Sequence, residues 1–425
     1  MNIEELYKIY LAYPSVQTDT RKLQTGDIYF ALKGDNFNGN HFVKQAFEKG
    51  ANYCVVDENE FKINDKCILV EDVLICLQAL ATHHRKQFSI PFIAITGSNG
   101  KTTTKELMMV VLSSQFKTYA TEGNLNNHIG VPLTILKIKQ DAQMAIIEMG
   151  ANHQKEIEFY CKIALPTHAL INNCGKAHLE GFGGIEGVKK GKGELYQFIR
   201  ENNGIVFRNT DLGYLDEMSI GIEKQITYGS QQGDYIGKSF TDNSFLQVAI
   251  LTPGMECSIH TQLVGEYNLA NVLGAVAVGS TFNIDINDIK KSIEEYSPSN
   301  SRSQLMKIGT NTIILDAYNA NPTSMVSAIN NFAQLDYPNK IIMIGAMMEL
   351  GDESIAEHQK IIELLAQTNW KKVVLVGGNF NVVKHSFKYF ENSTLAQKWF
   401  NERAFENTAF LIKGSRAFQM EKIIN

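Results

Sequence analysis

The chain has six cysteines but no C-x-x-C pair, no apolar run near the roughly 18 residues of a spanning helix, and no excess of basic charge. Each absence narrows the field. Cys54, Cys67, Cys76, Cys161, Cys174 and Cys257 are scattered, so neither a disulfide framework nor a thiolate zinc site is expected. They read as small buried apolar residues in a reduced, cytoplasmic setting. The start, MNIEELYKIY, is acidic and lacks the apolar core of a secretion signal, so no membrane span is expected. A net charge of -5 and a pI near 6.1 provide no global attraction for nucleic acid, and no nucleic-acid partner is expected.

One further absence is local. The stretch TGSNGKTTTKE, Thr96 to Glu106, ends its turn in Gly-Lys-Thr like the phosphate loop G-x-x-x-x-G-K-[ST]. Yet the residue five before Gly100 is Ile95, not glycine. Either the match is chance or the same device is wrapped differently.

What the chain has is core material: 44% of its 425 residues are hydrophobic and 20% charged, which suits a folded protein of two or three domains. Up to about residue 85, short apolar runs such as DIYFAL, ANYCVVD and CILVED alternate with helical patterns, suggesting a small α/β unit. From Pro91, the β-rich runs FIAIT, MAIIEMG, THALINN, GIVFRN and QITYG recur between helices, as in a mainly parallel sheet with crossover helices. The polar YSPSNSRSQ, Tyr296 to Gln304, reads as a linker, after which TIILDAY, IIMIGAM, KVVLVGG and TAFLIKG supply a third set of strands. The expected organisation is α/β throughout, with domains at 1–87, 88–298 and 299–425.

FIAIT, the turn GSNG and the helical KTTTKELMMVVLSS together place backbone N–H groups and a helix N-terminus on one anion. Lys101 would reach terminal phosphate oxygens and the Thr102 hydroxyl a Mg²⁺ ion. Glu148 closes the run MAIIE and suits the same metal, although an edge glutamate in solvent reads alike in sequence.

With these pieces together the sequence resembles the Mur ligase family of peptidoglycan synthesis, whose loop is commonly TGxNGKT[ST]. Thr96-Gly97-Ser98-Asn99-Gly100-Lys101-Thr102-Thr103 fits it residue for residue, so the missing glycine becomes a family trait. Further stretches in the same order are DTRKLQTGDIYFALKGDNFNGNHF, GNLNNHIGVPLTIL, EMGANHQKEI, GEYNLANVLGA, DAYNANPTSM and LIKGSRAFQMEKI. They are most similar to the branch that adds D-alanyl-D-alanine to a UDP-linked muramoyl tripeptide. An Asp-Asn-Pro-Arg motif, usual where diaminopimelate is added, is absent.

The resemblance implies three domains: one for the UDP moiety, a central ATPase, and a Rossmann-like domain for the dipeptide. It implies ATP and Mg²⁺ as cofactors, UDP-MurNAc-tripeptide and D-Ala-D-Ala as partners, a bacterial cytoplasmic location and a monomer. It assigns Gly97, Ser98, Asn99, Gly100, Lys101, Thr102 and Thr103 to the phosphates, Asn268 and Asn271 to the adenine, and Arg302 and Asp316 to closure over the nucleotide. Thr102, Glu148 and His178 would hold metal. Lys192, in a K-x-x-[IL]-[FY] setting, would join them if carbamylated; a solvated basic run beside Lys189 and Lys190 fits the letters equally. Lys101, Glu148, His178 and Lys192 form the implied catalytic group. For substrate, the resemblance points to Thr20, Arg21, Lys33 and Gly34 at the UDP, and to Asn126, Asn127, Asn152 and His153 near the tripeptide. Asn319, Asn321, Ser415 and Arg416 would face the dipeptide, although Ser415 could equally cap a helix. Two alternatives stay open: another ligase of the superfamily, and a P-loop switch protein, whose N-K-x-D motif the chain lacks.

Overall fold

A computed structural model describes residues 2–242, 245–299 and 301–424; Asn300, within the expected linker, lies outside them. Three main sheets follow one another along the chain. The first has four short parallel strands, Val16–Gln17, Ile28–Phe30, Tyr53–Val56 and Cys67–Leu69, beside a small hairpin of Lys33–Gly34 with Phe37–Asn38. Its helix Val73–Arg85 begins at Asp72, whose carboxylate accepts the Ile75 N–H, and ends in His83, His84 and Arg85 against the negative end of the helix dipole. Arg85 then reaches out of its own unit and donates to the carbonyls of Ala164 and Leu165 at 2.7 and 2.8 Å. Tyr10 adds a hydroxyl bond to the Leu136 carbonyl at 2.5 Å, so the first unit is docked on the second.

The central sheet has nine strands. From edge to edge they run Cys257–His260, Phe245–Ile250, Tyr235–Asp242, Lys224–Gly229, Ile205–Asn209, His168–Ile171, Phe92–Thr96, Met144–Glu148 and Thr118–Ala120. FIAIT and MAIIE are apolar without alternation because both faces are covered: Ile93, Ile95 and Ile146 face one layer, while Phe92, Ala94 and Ile147 face the other. On the first side lie the helices Lys101–Ser113 and Leu269–Thr281, the latter apolar almost all round; on the second lie Glu156–Ala164 and Ile185–Glu201. The parallel pattern expected from sequence runs up to Tyr235–Asp242. There the sheet continues as an antiparallel meander through Phe245–Ile250 and Cys257–His260, an extension that the periodicity reading did not single out. Their hydrogen bonds come from short hairpins, which need no crossover helix to announce them.

The third sheet carries Gln304–Ile308, Asn311–Asp316, Ala409–Lys413, Lys340–Gly345, Lys372–Val376 and Lys388–Phe390 in that spatial order, parallel except for the first pair. Among the described residues no helix is long and apolar enough to cross a membrane. The carboxyl ends of Phe92–Thr96, Met144–Glu148 and Asn311–Asp316 border a single cleft, where open α/β sheets usually bind ligands.

Candidate active site

This cleft, about 530 Å³, is floored by the turn between Thr96 and Lys101. Gly100 has φ +81°, a left-handed conformation open to glycine, and a Cβ there would lie 2.6 Å from Asn271 Oδ1. Backbone economy and side-chain crowding thus demand the same residue. Helix Lys101–Ser113 starts directly after it, presenting its free N–H groups to the cleft. The Lys101 amine folds back onto the Gly97 carbonyl at 2.5 Å. Burial lowers its pKa, with Glu148 opposing and Arg302 adding to the shift, so a nearby anion would be strongly favoured.

Beside the loop, the side chain of Glu148 is buried, and its partners are neutral: Thr102 Oγ1 at 3.0 Å and Asn126 Nδ2 at 2.8 Å. A buried carboxylate held, among the described residues, only by a hydroxyl and an amide keeps most of its negative charge available, and with the Thr102 oxygen it makes a hard donor pair suited to Mg²⁺. Among the described residues no three His, Cys, Asp or Glu side chains cluster as a ready-made metal cage. A metal here would therefore complete its shell with phosphate oxygens and water, as Mg²⁺ commonly does.

The loop is braced from three sides. Asn173 clamps Asn99, accepting its N–H at 3.0 Å and donating to its carbonyl at 3.1 Å, while Ser98 Oγ donates to the Gly175 carbonyl at 2.8 Å. Underneath, Asn271 Oδ1 accepts from Thr104 Oγ1 at 2.9 Å and Asn172 Nδ2 at 3.0 Å, and its own amide donates to Asn268 Oδ1 at 2.7 Å. Asn268 and Asn271 line the cleft, but much of their hydrogen bonding goes to Thr104, Asn172, the Val264 carbonyl and each other. From the third sheet, Asn321 Nδ2 donates to Asn99 Oδ1 at 2.8 Å while also capping helix Pro322–Gln334.

The loop after His168–Ile171 meets the third domain as well. Lys176 Nζ binds Glu357 at 2.7 Å, its N–H donates to Thr323 Oγ1 at 3.0 Å, and His178 Nδ1 contacts Glu349. Beside His178 the Glu349 carboxyl is held below the usual range. Lys192 is more deeply placed. It is 1% exposed on helix Ile185–Glu201, its amine reaches the Ala151 carbonyl at 3.2 Å, and the Phe182 ring centre lies 5.0 Å away. Burial, with the charge of Lys101, lowers its pKa to about 7. The solvated basic run is therefore not what this lysine is, whereas Lys189 beside it pairs with Glu186 near the surface.

The remaining expected residues divide clearly. Thr103, Asn126, Asn127, Asn152, Arg302, Asp316 and Asn319 line the central cleft. Asn127 spends its carbonyl on the N–H groups of Ile129 and Gly130, and exposed His153 sits at the rim near Glu156. Asn319, Asn321, Ser415 and Arg416 meet in a second cleft of about 330 Å³ shared with His178 and Glu349. Ser415 precedes the short turn Arg416–Phe418, but among the described residues its hydroxyl caps nothing and is buried without a partner. Thr20, Arg21, Lys33 and Gly34 stay in the first unit, apart from both clefts. Arg21 pairs with Asp19, Lys33 with Asp57 and Glu58, and Thr20 with Gln45.

Sequence reading missed Asn172, Asn173, Thr104, Tyr318 and Lys413. Lys413 is buried and binds Asp316 at 2.5 Å, so Asp316 is a paired carboxylate rather than a free one. Only the position of Lys413 at the end of the run TAFLIK hinted at it.

Three stretches of the chain match family patterns. The pattern described as "Mur ligase middle domain" matches residues 95–279, "Mur ligase, glutamate ligase domain" matches 301–416, and "Mur ligase family, catalytic domain" matches 13–85. The chain is 32% identical to the UDP-N-acetylmuramoyl-tripeptide--D-alanyl-D-alanine ligase of Bacillus subtilis, covering 100% of this chain and 96% of that protein. It is 33% identical to the Haemophilus influenzae protein of the same name, over 96% and 92%. A crystal structure of MurF from Acinetobacter baumannii superposes with a TM-score of 0.87 at 31% identity, covering 96% of this chain and 92% of that one. MurF from Thermotoga maritima in complex with ADP gives 0.86 at 25% identity, over 97% of each chain.

Proposed function

The chain belongs to the Mur ligase family, and we infer that it joins D-alanyl-D-alanine to UDP-N-acetylmuramoyl-tripeptide with ATP, a step in making peptidoglycan precursors. The observation that carries this reading is the pairing of buried Glu148 with Thr102 at the foot of a phosphate loop, under a cleft roofed by the third domain.

A carboxylate does not react with an amine until it is activated. In the proposed route a bond forms between an oxygen of the tripeptide carboxylate and the γ-phosphorus, and the bond to ADP breaks. The dipeptide amine then adds to the acyl carbon, the carbon–oxygen bond to phosphate breaks, and the amine loses a proton. The first step brings two anions together, so positioning and neutralisation are the main demands. Loop amides and Lys101 would hold the β- and γ-phosphates. Thr102 and Glu148 would hold Mg²⁺, which supplies charge neutralisation across the phosphates when bound. Arg302 and Asp316 bring the third domain to the nucleotide, and closure would keep water from the acyl phosphate.

His178 and Lys192 are proposed for a second metal. The lowered pKa of Lys192 supports carbamylation, because an uncharged amine can add to CO₂, form an N–C bond and release a proton, leaving an anionic ligand. Asn268 and Asn271 are proposed to steady the loop from below and to meet the adenine with what bonding capacity remains. Asn126, Asn127, Asn152 and His153 are assigned to the tripeptide end, and the Ser415 and Arg416 cleft to the dipeptide. Thr20, Arg21, Lys33 and Gly34 are assigned to the UDP, for which Arg21 and Lys33 would exchange their carboxylate partners for diphosphate.

Phosphate release tests the reading. With ATP, Mg²⁺ and UDP-MurNAc-tripeptide, turnover should require D-Ala-D-Ala and be abolished by Lys101→Ala. Turnover with a single amino acid but not with the dipeptide would assign the chain to another branch.

A further inference from the structure

Two arginines reach the clefts without a carboxylate partner among the described residues. Arg302 lines the nucleotide cleft, and Arg416 lines the second cleft, assigned above to the dipeptide. Both also line a third cleft of about 370 Å³ that connects with Thr102 and Asn124. Among the described residues neither guanidinium takes part in a salt bridge, and Arg302 Nε is buried with no hydrogen-bond partner. What holds them is one aromatic ring. The Arg302 guanidinium carbon lies 3.6 Å from the ring centre of Tyr318, and that of Arg416 lies 5.2 Å from the same centre. Tyr318 also lines all three clefts.

An aromatic face attracts a cation through its quadrupole without cancelling the charge. A carboxylate in the same place would fix each arginine but compete with any incoming anion. The ring therefore solves a specific problem, keeping two like charges ordered and still available to bind phosphate on one side and a peptide carboxylate on the other. The backbone adds to the ordering on the Arg302 side. Ser301 and Ser303 flank Arg302 at φ +52° and +50°, uncommon for residues with a side chain, and Tyr267 holds the Ser303 hydroxyl at 2.7 Å.

We propose that Tyr318 is a positioning residue shared by the two sites: its ring orders Arg302 for the nucleotide and Arg416 for the dipeptide, so that the state of one cleft is felt in the other. This rests on the ligase reading above. The Tyr318 hydroxyl makes no hydrogen bond among the described residues, so the ring alone carries the role.

The test measures KM for ATP, D-Ala-D-Ala and UDP-MurNAc-tripeptide in the full-length enzyme with Tyr318→Leu, Tyr318→Gln and Tyr318→Phe. Loss of the ring is expected to raise KM for both ATP and the dipeptide by about three- to thirtyfold, from the usual strength of such contacts, with a smaller change in kcat. KM for the UDP-tripeptide should stay near the wild-type value, and Tyr318→Phe should restore the other two. A rise in only one of the two, an equal rise in all three, or a Phe variant as impaired as Leu and Gln would overturn the proposal. A wild-type enzyme that releases no phosphate would instead overturn the ligase reading, and this proposal with it.

Discussion

Lys192→Met is expected to stabilise the protein at neutral pH while abolishing turnover. The amine sits where only 1% of the residue is exposed, and it donates a hydrogen bond to the Ala151 carbonyl. Burial and the charge of Lys101 bring its pKa from 10.5 down to about 7. In the unfolded chain the amine keeps its ordinary value and stays protonated through neutral pH. As pH falls below 10.5 the unfolded state gains a proton that the folded state refuses. Each unit then costs the fold about 1.36 kcal/mol, until the native amine also protonates near 7. At pH 7 the accumulated cost is about 4 kcal/mol. Methionine has similar reach, no charge, and a sulfur suited to the Phe182 ring. Urea unfolding in CO₂-free buffer should show the variant more stable by about 2–4 kcal/mol at pH 7, and the gain should shrink towards zero as pH approaches 10.5. CO₂ must be excluded because a carbamate would replace the amine being weighed. A variant less stable than wild type at pH 7, or a difference that ignores pH, would refute the reasoning.

Glu148→Gln keeps the shape of the carboxylate and its contact with Thr102 but removes the charge, so turnover should fall by about 10²- to 10³-fold with the melting temperature preserved. A Mg²⁺ titration of phosphate release checks this. Asn271→Ala leaves Thr104 and Asn172 without their shared acceptor; a loss of about 1–3 kcal/mol in urea unfolding is expected, along with weaker ADP binding by calorimetry. Lys176→Met breaks the bridge to Glu357, whose side chain is 5% exposed but keeps Lys360 as a partner. Small-angle scattering should report a larger radius of gyration for this variant, and its KM for ATP should rise.

Local features were the ones legible in sequence. A strand, a glycine turn and Lys-Thr at a helix start lie within a dozen residues, and each obeys its own short-range rule, which is why Ile95 in a glycine's place did not obscure the loop. Glu148 was legible because it closes a buried strand beside the loop strand, register-paired with Ile95. The bracing was not. Asn172 and Asn271 meet Thr104 from 68 and 167 positions away, and Asn321 reaches Asn99 across 222. Nothing in an isolated asparagine announces which amide it will find. Lys413 and Asp316 end strands that pair in parallel, so their meeting depends on the sheet order that only the fold supplies. The burial of Lys192 follows likewise from packing between its helix, the segment after Met144–Glu148 that carries Ala151, and the short helix Leu179–Phe182.

The central claim is that a carboxylate is activated by phosphorylation, and isotope transfer tests it most directly. UDP-MurNAc-tripeptide labelled with ¹⁸O in its terminal carboxylate should pass one labelled oxygen to inorganic phosphate in each turnover with ATP and D-Ala-D-Ala, read by mass spectrometry. Product formed with unlabelled phosphate would contradict the acyl-phosphate route and the roles drawn from it for Lys101, Thr102 and Glu148.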